Sequence, residues 1–154
     1  MVTRHKTGQL MGLTVYTGAT FDLFHAGHVE FLSRCRELSN GGEVVVALNT
    51  DEFIEAYKGK RPIMTYEERA KVVGACKYVD SVIANFDGAD SRTAIEYVKP
   101  DLIVIGSDWA RRDYYAQMGF DQDWLDERDI SLCYVPYTQG ISSTAIKERM
   151  RFGR

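Results

Sequence analysis

Two histidines, His25 and His28, stand three residues apart in the segment GATFDLFHAGH, with Gly27 just before the second. Histidine binds metal ions, transfers protons and donates hydrogen bonds to phosphate. If a helix begins here, both rings lie on one side of its first turn, beside free backbone N–H groups that attract anions. A structural zinc ion needs four ligands, and no cluster of cysteines or carboxylates stands nearby in the sequence. The spacing therefore favours a phosphate site, with one capping and one packed histidine as the alternative.

A second group of small polar residues, GISST at residues 140–144, opens the last amphipathic stretch of the chain. Gly140 would let a ligand approach closely, and three hydroxyl side chains follow beside the free N–H groups of a helix start. One of these hydroxyls is expected to cap the helix. The segment predicts a second phosphate-binding helix start.

A basic loop, KGKRP at residues 58–62, brings Lys58, Lys60 and Arg61 together. Such a run of charges usually lies in solvent without a specific partner. The charges of this loop alone assign it no other role.

Asp108 and Trp109 follow a short apolar run and suit a nucleobase pocket. A carboxylate can accept a hydrogen bond from an exocyclic amine, and an indole ring can form an apolar wall. Cytosine and adenine both carry such an amine, so the pair does not choose between them. Plain core packing of Trp109 is the alternative.

The elements that would position these residues alternate along the chain. Apolar runs predict strands over residues 13–17, 44–48, 79–84, 102–105 and 130–135. Amphipathic runs predict helices over 28–38, 51–57, 66–76, 91–98, 114–127 and 143–150, with a break at Gly119 and a capping box of Thr65 and Glu68. This order predicts an α/β fold, a Rossmann-like doubly wound parallel sheet with helices on both faces, whose ligands bind beyond the carboxyl ends of the strands.

Composition excludes several classes of protein. The 154 residues are 45% hydrophobic and carry a formal net charge of −3, which predicts one globular domain over 13–154 after a flexible extension over 1–12, with no nucleic-acid partner. The apolar runs are too short to cross a membrane, and we expect no signal peptide. The three cysteines are scattered, which predicts that they form neither disulfides nor a metal site. Such free cysteines also predict a cytoplasmic location.

The segment TFDLFHAGH at 20–28 resembles the signature of the nucleotidyltransferase superfamily, whose HxGH motif holds a nucleoside triphosphate. Within it the chain is similar to the cytidylyltransferases, and most to the bacterial glycerol-3-phosphate cytidylyltransferases. Further matching segments follow in the same order: ALNTDEF at 47–53, YEER at 66–69, KYVDSV at 77–82, GSDW at 106–109 and TQGISST at 138–144.

The resemblance implies transfer of CMP from CTP to a phosphorylated alcohol, glycerol 3-phosphate or a similar polyol phosphate, with release of pyrophosphate. It also implies Mg²⁺ brought with the nucleotide, and a homodimer. The catalytic residues it implies are His25, His28, Lys58 and Ser143. The nucleotide-binding residues it implies are Thr20, Phe21, Asp22, Asp108, Trp109, Thr138, Gly140, Ile141, Ser142 and Thr144. The acceptor-binding residues it implies are Arg69, Lys77 and Tyr137.

Some of these roles have alternatives. Asp22 could orient its loop or a metal–phosphate group, or only stabilise a turn. Arg69 could reach the acceptor or only pair with Glu67. Tyr137 and Lys77 stand where the resembling family has arginines, which bind phosphate with a fixed bidentate geometry.

The two replaced arginines leave two questions. Either another cation takes over, with Arg111 and Arg112 as candidates, or the acceptor is not glycerol 3-phosphate. The segment KGKRPI also resembles a loop of sugar-1-phosphate adenylyltransferases, so an ATP-dependent enzyme is the second hypothesis. An inactive nucleotide-binding module is the third.

Overall fold

A computed structural model describes residues 12–85 and 90–154 of the chain, with the backbone alone at 109 and 110. Five strands form one parallel sheet in the order β3-β2-β1-β4-β5. The strands are β1 (Val15–Ala19), β2 (Val44–Asn49), β3 (Ser81–Asn85), β4 (Leu102–Gly106) and β5 (Ser131–Val135). The predicted doubly wound parallel sheet is confirmed. The extension predicted over 1–12 lies outside the described residues except for Gly12.

Seven α-helices connect and flank these strands within the described ranges. They are α1 (Ala26–Ser39), α2 (Asp51–Lys58), α3 (Tyr66–Gly74), α4 (Arg92–Val98), α5 (Tyr114–Met118), α6 (Gln122–Asp126) and α7 (Ser143–Phe152). A 3-10 turn over Ser107–Arg111 follows β4. The stretch predicted as helical over 114–127 is two helices, and α5 ends at Gly119, whose φ of +79° suits glycine. In the described part of the chain, no helix is long and apolar enough to cross a membrane.

The sheet is buried on both faces, as the β-branched strands predict. Alternate residues of the central strands, including Val15, Val44 and Val46, are fully buried on the face that α1 and α3 cover with Leu32 and Val73. The opposite face carries a second apolar cluster, built by α4, α5 and α6. Its buried members include Tyr16, Ala47, Ile95, Ile103, Tyr114 and Leu125. Two covered faces leave only the sheet edges and strand ends for a ligand.

The central strands part at their carboxyl ends. β1 pairs with β2 along its whole length, from Val15 with Val44 to Ala19 with Leu48. Its pairing with β4 stops after Tyr16 and Ile103, so the two strands diverge beyond that point. In this strand order the divergence lies where the winding of the sheet reverses, which is where α/β sheets form a binding crevice.

Candidate active site

A cavity of about 590 Å³ opens at the carboxyl ends of β1 and β4. Most of the predicted site residues line it. These are Thr20, Phe21, Asp22, His25, His28, Lys58, Asp108, Tyr137, Thr138, Ile141, Ser142, Ser143 and Thr144. The lining does not include Arg69, Lys77 or Gly140, and the side chain of Trp109 lies outside the described structure.

The two histidines form the N-terminal cap of α1. His25 is the N-cap residue, and its Nδ1 accepts a hydrogen bond from the Gly27 N–H at 3.1 Å. The Nδ1 of His28 accepts in turn from the His25 N–H at 3.2 Å. This is a capping box in which imidazoles replace the usual hydroxyl and carboxylate side chains. A neutral imidazole carries one N–H, so with both Nδ1 atoms accepting, both rings carry their proton on Nε2.

The environment of the two rings keeps them neutral. Their centroids are 3.7 Å apart in a stacked arrangement, and the ring of Phe21 meets His28 edge-on at 5.1 Å. Burial, together with the nearby His25, lowers the pKa of His28 to about 4, and burial also lowers the pKa of His25. At neutral pH the pair therefore offers two Nε2–H donors, since both residues line the cavity.

The turn before α1 is held in an unusual conformation. Phe21 and Leu23 both have φ near +50°, which costs side-chain-bearing residues of order 1–3 kcal/mol each. The Asp22 carboxylate between them accepts hydrogen bonds from the N–H groups of Leu23, Ile63 and Met64 at 2.9 to 3.1 Å. Asp22 thus orients its own loop and fastens the segment that follows the basic loop against it.

The start of α7 lies against the start of α1. Ser142 caps α7 by accepting from the Ala145 N–H at 3.0 Å, and the Ser143 hydroxyl donates to the main-chain oxygen of Asp22 at 3.0 Å. A Cβ on Gly27 would lie 2.9 Å from the His25 ring and 3.1 Å from the Ile141 side chain, so the missing side chain permits both contacts. Two helix N-termini, whose partial positive charge favours anions, therefore face one cavity.

Gly140 adopts a left-handed φ of +82°, and a Cβ placed on it would meet no described protein atom within 4 Å. The turn before α7 therefore favours glycine for its conformation. The predicted close approach of a ligand at Gly140 stays a prediction.

Tyr137 and Asp108 form one wall of the cavity. The Tyr137 hydroxyl lies beside the Asp108 carboxylate, and burial and this negative charge raise the pKa of Tyr137. The tyrosine ring covers Gly106 so closely that a Cβ there would lie 2.7 Å from a ring carbon. The Oδ1 atom of Asp108 is buried and has no hydrogen-bond partner within the described structure. Tyr137 therefore contacts the predicted base-binding residue.

The prediction that Arg69 binds the acceptor is wrong for this structure. The Arg69 side chain is fully buried, and its guanidinium donates to the main-chain oxygens of Thr20 and Met64 and to the Asp51 carboxylate at 2.6 Å. Its carboxylate partner is thus Asp51 and not Glu67. Arg69 instead holds the loop after β1 against the start of α2.

The prediction that Lys77 binds the acceptor within this chain is also wrong. Lys77 is exposed in the turn between α3 and β3, where Asp80 donates its N–H to the Val44 oxygen at the start of β2. In a parallel sheet that turn lies at the amino edge, opposite the cavity. The ammonium of Lys77 lies over the ring of Tyr78, 5.0 Å from its centroid.

The basic loop divides into bound and available cations. Lys58, the last residue of α2, and Lys60 are exposed and line the cavity. Arg61 also lines it, but its Nε donates to Glu55 at 2.8 Å, and Glu52 lies near the same guanidinium.

Several cavity residues had not been predicted as site residues. Asn85 donates to the side chain of Asn49, which donates to the Thr20 hydroxyl, so a row of polar side chains crosses the ends of three strands. Lys147 lines the cavity from α7. The sequence signal for Lys147 was its position four residues after Ser143. For Asn49 and Asn85 it was their position at the ends of strands.

Comparison with known proteins agrees with this geometry. A family model described as cytidylyltransferase-like matches residues 16–149. A glycerol-3-phosphate cytidylyltransferase of Staphylococcus aureus is 35% identical over 136 residues, which cover 88% of this chain and 93% of the relative. An FAD synthase of Pyrococcus horikoshii is 42% identical over 96 residues, which cover 62% of this chain and 64% of the relative.

One solved structure extends the likeness to three dimensions. The lipopolysaccharide core biosynthesis protein from Thermoplasma volcanium superposes with a TM-score of 0.61 at 28% identity, covering 82% of this chain and 98% of that one. The match with the FAD synthase covers about two thirds of its length, whereas the matches with the cytidylyltransferase and the solved structure cover nearly all of theirs.

Proposed function

The chain belongs to the cytidylyltransferase-like family of nucleotidyltransferases, and from this premise we propose that it transfers CMP from CTP to a small phosphorylated alcohol. Glycerol 3-phosphate or a similar polyol phosphate is the proposed acceptor. A glycerol-3-phosphate cytidylyltransferase matches over 88% of this chain and 93% of its own length, which supports this choice.

The observation that carries the proposal is the histidine capping box. It fixes two neutral imidazoles so that each offers an Nε2–H donor, at a helix N-terminus that already favours anions. Donors fixed in advance can stabilise negative charge that develops on a transferred phosphate without reorganising during the reaction. The start of α7, fastened to the same turn through Ser143, adds further N–H groups.

The reaction balances without a general base. An anionic oxygen of the acceptor phosphate attacks the α-phosphorus of CTP in line, and one P–O bond forms. The bond from the α-phosphorus to the bridging oxygen of the β-phosphate breaks, and pyrophosphate leaves with that electron pair. No proton has to be removed from the nucleophile, so positioning and charge stabilisation are the work left to the protein.

The proposed base pocket is the wall formed by Asp108. Its carboxylate can accept a hydrogen bond from the exocyclic amine of cytosine, and the Tyr137 hydroxyl lies beside it. The pocket alone does not separate cytosine from adenine, so the choice of CTP rests on the family and on the cytidylyltransferase relative.

Mg²⁺ is proposed to accompany the nucleotide. Among the described residues that line the cavity the carboxylates are Asp22 and Asp108, and Asp22 already accepts three backbone N–H groups. This donor set fits an ion held mainly by phosphate oxygens, as Mg²⁺ usually is in such sites. When bound, the ion would neutralise charge on the leaving pyrophosphate.

Adenylyl transfer is the second candidate. The relatives named FAD synthase, at 42% identity over 96 residues, favour it, because the product they are named for contains an adenylyl group. Both candidates share the histidine pair and the same in-line displacement. They differ in the base that Asp108 receives and in the acceptor.

The test is pyrophosphate release with Mg²⁺, each of the four nucleoside triphosphates, and a panel of polyol phosphates, sugar phosphates and FMN. Turnover with CTP and a polyol phosphate, and little with ATP, is the expected result. Turnover with ATP alone would replace the main proposal by adenylyl transfer. Tight nucleotide binding with no turnover on any acceptor would point to an inactive binding module.

A further inference from the structure

Two carboxamide side chains stand at the carboxyl ends of β2 and β3. Asn49 and Asn85 are the last residues of their strands, and they pair in register across the sheet. Side chains alternate along a strand, so these two point to the same face as Ala47 and Ile83, which belong to the apolar cluster built by α4, α5 and α6. The carboxamides therefore line the cavity on the side of α4 and α5, whereas the histidines line it from α1.

Hydrogen bonds join the carboxamides into a row that ends in the loop before the histidines. The Nδ2 of Asn85 donates to the Oδ1 of Asn49 at 3.0 Å, and the Nδ2 of Asn49 donates to the Thr20 hydroxyl at 3.3 Å. Asn85 is buried and Asn49 is half-buried, so the inner carboxamide fixes the orientation of the outer one. Neighbouring strands lie about 4.8 Å apart, so a row across three strand ends is roughly 10 Å long.

Asn49 keeps hydrogen-bonding capacity for a ligand. A carboxamide has two N–H donors and an oxygen with two lone pairs. Within the described structure, the row uses one donor and one lone pair of Asn49. The side chain can therefore donate to and accept from a molecule in the cavity, and a hydroxyl group, which also does both, matches it best.

Other polar residues on this side of the cavity are uncharged as well. Ser91 and Gln117 line it, and the start of α4 is fastened to α5 because the Ser91 hydroxyl and N–H donate to the Sδ and main-chain oxygen of Met118 at 3.1 and 3.0 Å. A cationic head group would need a carboxylate to offset the loss of its hydration, and the carboxamide row supplies none.

We propose that Asn49, positioned by Asn85, binds hydroxyl groups of the acceptor, and that the acceptor is therefore a polyhydroxylated phosphate ester and not an amino-alcohol phosphate. The row ends at Thr20, so an acceptor whose hydroxyl groups lie on the carboxamides has its phosphate directed towards the histidines. The inference rests on the proposed function, because it assumes nucleotidyl transfer to a phosphate. It does not depend on whether the transferred base is cytosine or adenine.

The experiment measures how strongly the protein prefers an acceptor with hydroxyl groups. Pyrophosphate release with Mg²⁺ and saturating CTP or ATP gives kcat/KM for glycerol 3-phosphate, for n-propyl phosphate, which lacks both hydroxyl groups, and for ethanolamine phosphate. One neutral hydrogen bond is worth roughly tenfold, so the parent protein should prefer glycerol 3-phosphate over n-propyl phosphate about 100-fold. Ethanolamine phosphate should be no better than n-propyl phosphate.

The variants remove the carboxamides while keeping side chains of similar size. In Asn49→Leu the preference should fall to about tenfold, with the KM of the nucleotide unchanged. Asn85→Leu should lower the preference about threefold, because its side chain acts through Asn49. The double variant leaves neither carboxamide without its partner, so it serves if a single variant fails to fold. Gln122→Leu removes a carboxamide from α6 outside the cavity lining, and it should keep the parent preference.

Binding without turnover is measured by isothermal titration of glycerol 3-phosphate into protein saturated with the α,β-methylene analogue of CTP or of ATP. The Kd should rise about tenfold in Asn49→Leu. The inference is overturned by a parent preference below about threefold, by the same preference and Kd in Asn49→Leu, or by an equal loss in Gln122→Leu. Faster turnover of ethanolamine phosphate than of glycerol 3-phosphate would also overturn it.

The two proposals fail in different ways. A preference that depends on Asn49 but appears with ATP alone as the donor would keep the inference and defeat cytidylyl transfer. CMP transfer to glycerol 3-phosphate with the parent preference in Asn49→Leu would keep the proposed function and defeat the inference.

Discussion

Of the helices that begin at the carboxyl edge of the sheet, α1, α2, α3 and α7 treat their positive ends in two ways. The first turns of α2 and α3 carry acidic side chains, Asp51 and Glu52 in one and Glu67 and Glu68 in the other. The first turns of α1 and α7 carry none. A helix dipole leaves partial positive charge at each of these N-termini. The protein's own carboxylates neutralise that charge in α2 and α3, whereas the first turns of α1 and α7 have no acidic side chain to do so.

The same contrast extends to the caps. The box at the start of α3 is the common pair of Thr65 and Glu68, which serves the backbone alone. The box at the start of α1 uses His25 and His28, which satisfy the same backbone groups and still keep an N–H for the cavity. A cap can therefore be structural and functional at once, and variants at the two boxes can separate these roles.

The largest effect on stability is expected at the ion pair between Arg69 and the Asp51 carboxylate. Arg69→Met removes the buried partner of Asp51 and should destabilise the protein by about 3–5 kcal/mol, because a buried charge is left uncompensated. Urea unfolding measures it. Arg61→Met breaks an exposed pair with Glu55 and should leave the free energy of unfolding nearly unchanged, because solvent screens such pairs. An Arg69→Met protein of normal stability with a raised acceptor KM would restore the acceptor-binding role.

The next effect separates the two capping boxes. His28→Ala should lower turnover by about 10²–10³, the usual cost of one fixed donor to a developing charge. Glu68→Ala removes the equivalent side chain from the α3 box and should retain turnover. Each of the two variants should lower the free energy of unfolding by about 0.5–2 kcal/mol. Steady-state rates and thermal melts on both variants test this. Full activity in His28→Ala would remove the histidine from the mechanism.

The imidazole cap also makes stability depend on pH. The folded protein holds the pKa of His28 at about 4, below its ordinary 6.5, so the unfolded chain binds more protons between these values. This contribution to stability is present above about pH 6.5 and is lost as the pH falls towards 4. Urea midpoints from pH 7 to 4.5 should fall more steeply for the parent protein than for His28→Asn. Parallel curves would show that His28 is not held neutral.

The sequence predicted what depends on local patterns. Periodicity placed every strand and helix within a few residues, and the Thr65–Glu68 box is where the spacing puts it. The histidine spacing predicted a helix start that favours anions. It did not predict that both Nδ1 atoms accept hydrogen bonds from the backbone, because such bonds depend on where the backbone N–H groups lie in the folded chain.

The errors concern contacts between distant parts of the chain. Arg69 was predicted to reach the acceptor or to pair with Glu67, and its burial instead depends on Asp51, 18 residues away, and on the Thr20 oxygen. The position of Lys77 follows from the topology, because a turn that precedes a parallel strand lies at the edge opposite the strand ends. The resemblance identified the motif but gave no information about which edge it occupies in this chain.

The smallest effect is expected from a substitution that gives the first turn of α7 an acidic residue, as in α2 and α3. Ala145→Glu places an acid at the third helical position after Ser142, where it can complete a capping box and neutralise the dipole. The free protein should gain about 0.3–1 kcal/mol, and the nucleotide KM should rise roughly two- to fivefold because the acid competes with phosphate. Ala145→Gln can form the same box without charge, so it should keep the parent KM. If Glu and Gln affect the nucleotide equally, the unneutralised start of α7 is a matter of packing, and the contrast between the two pairs of helices has no bearing on the ligand.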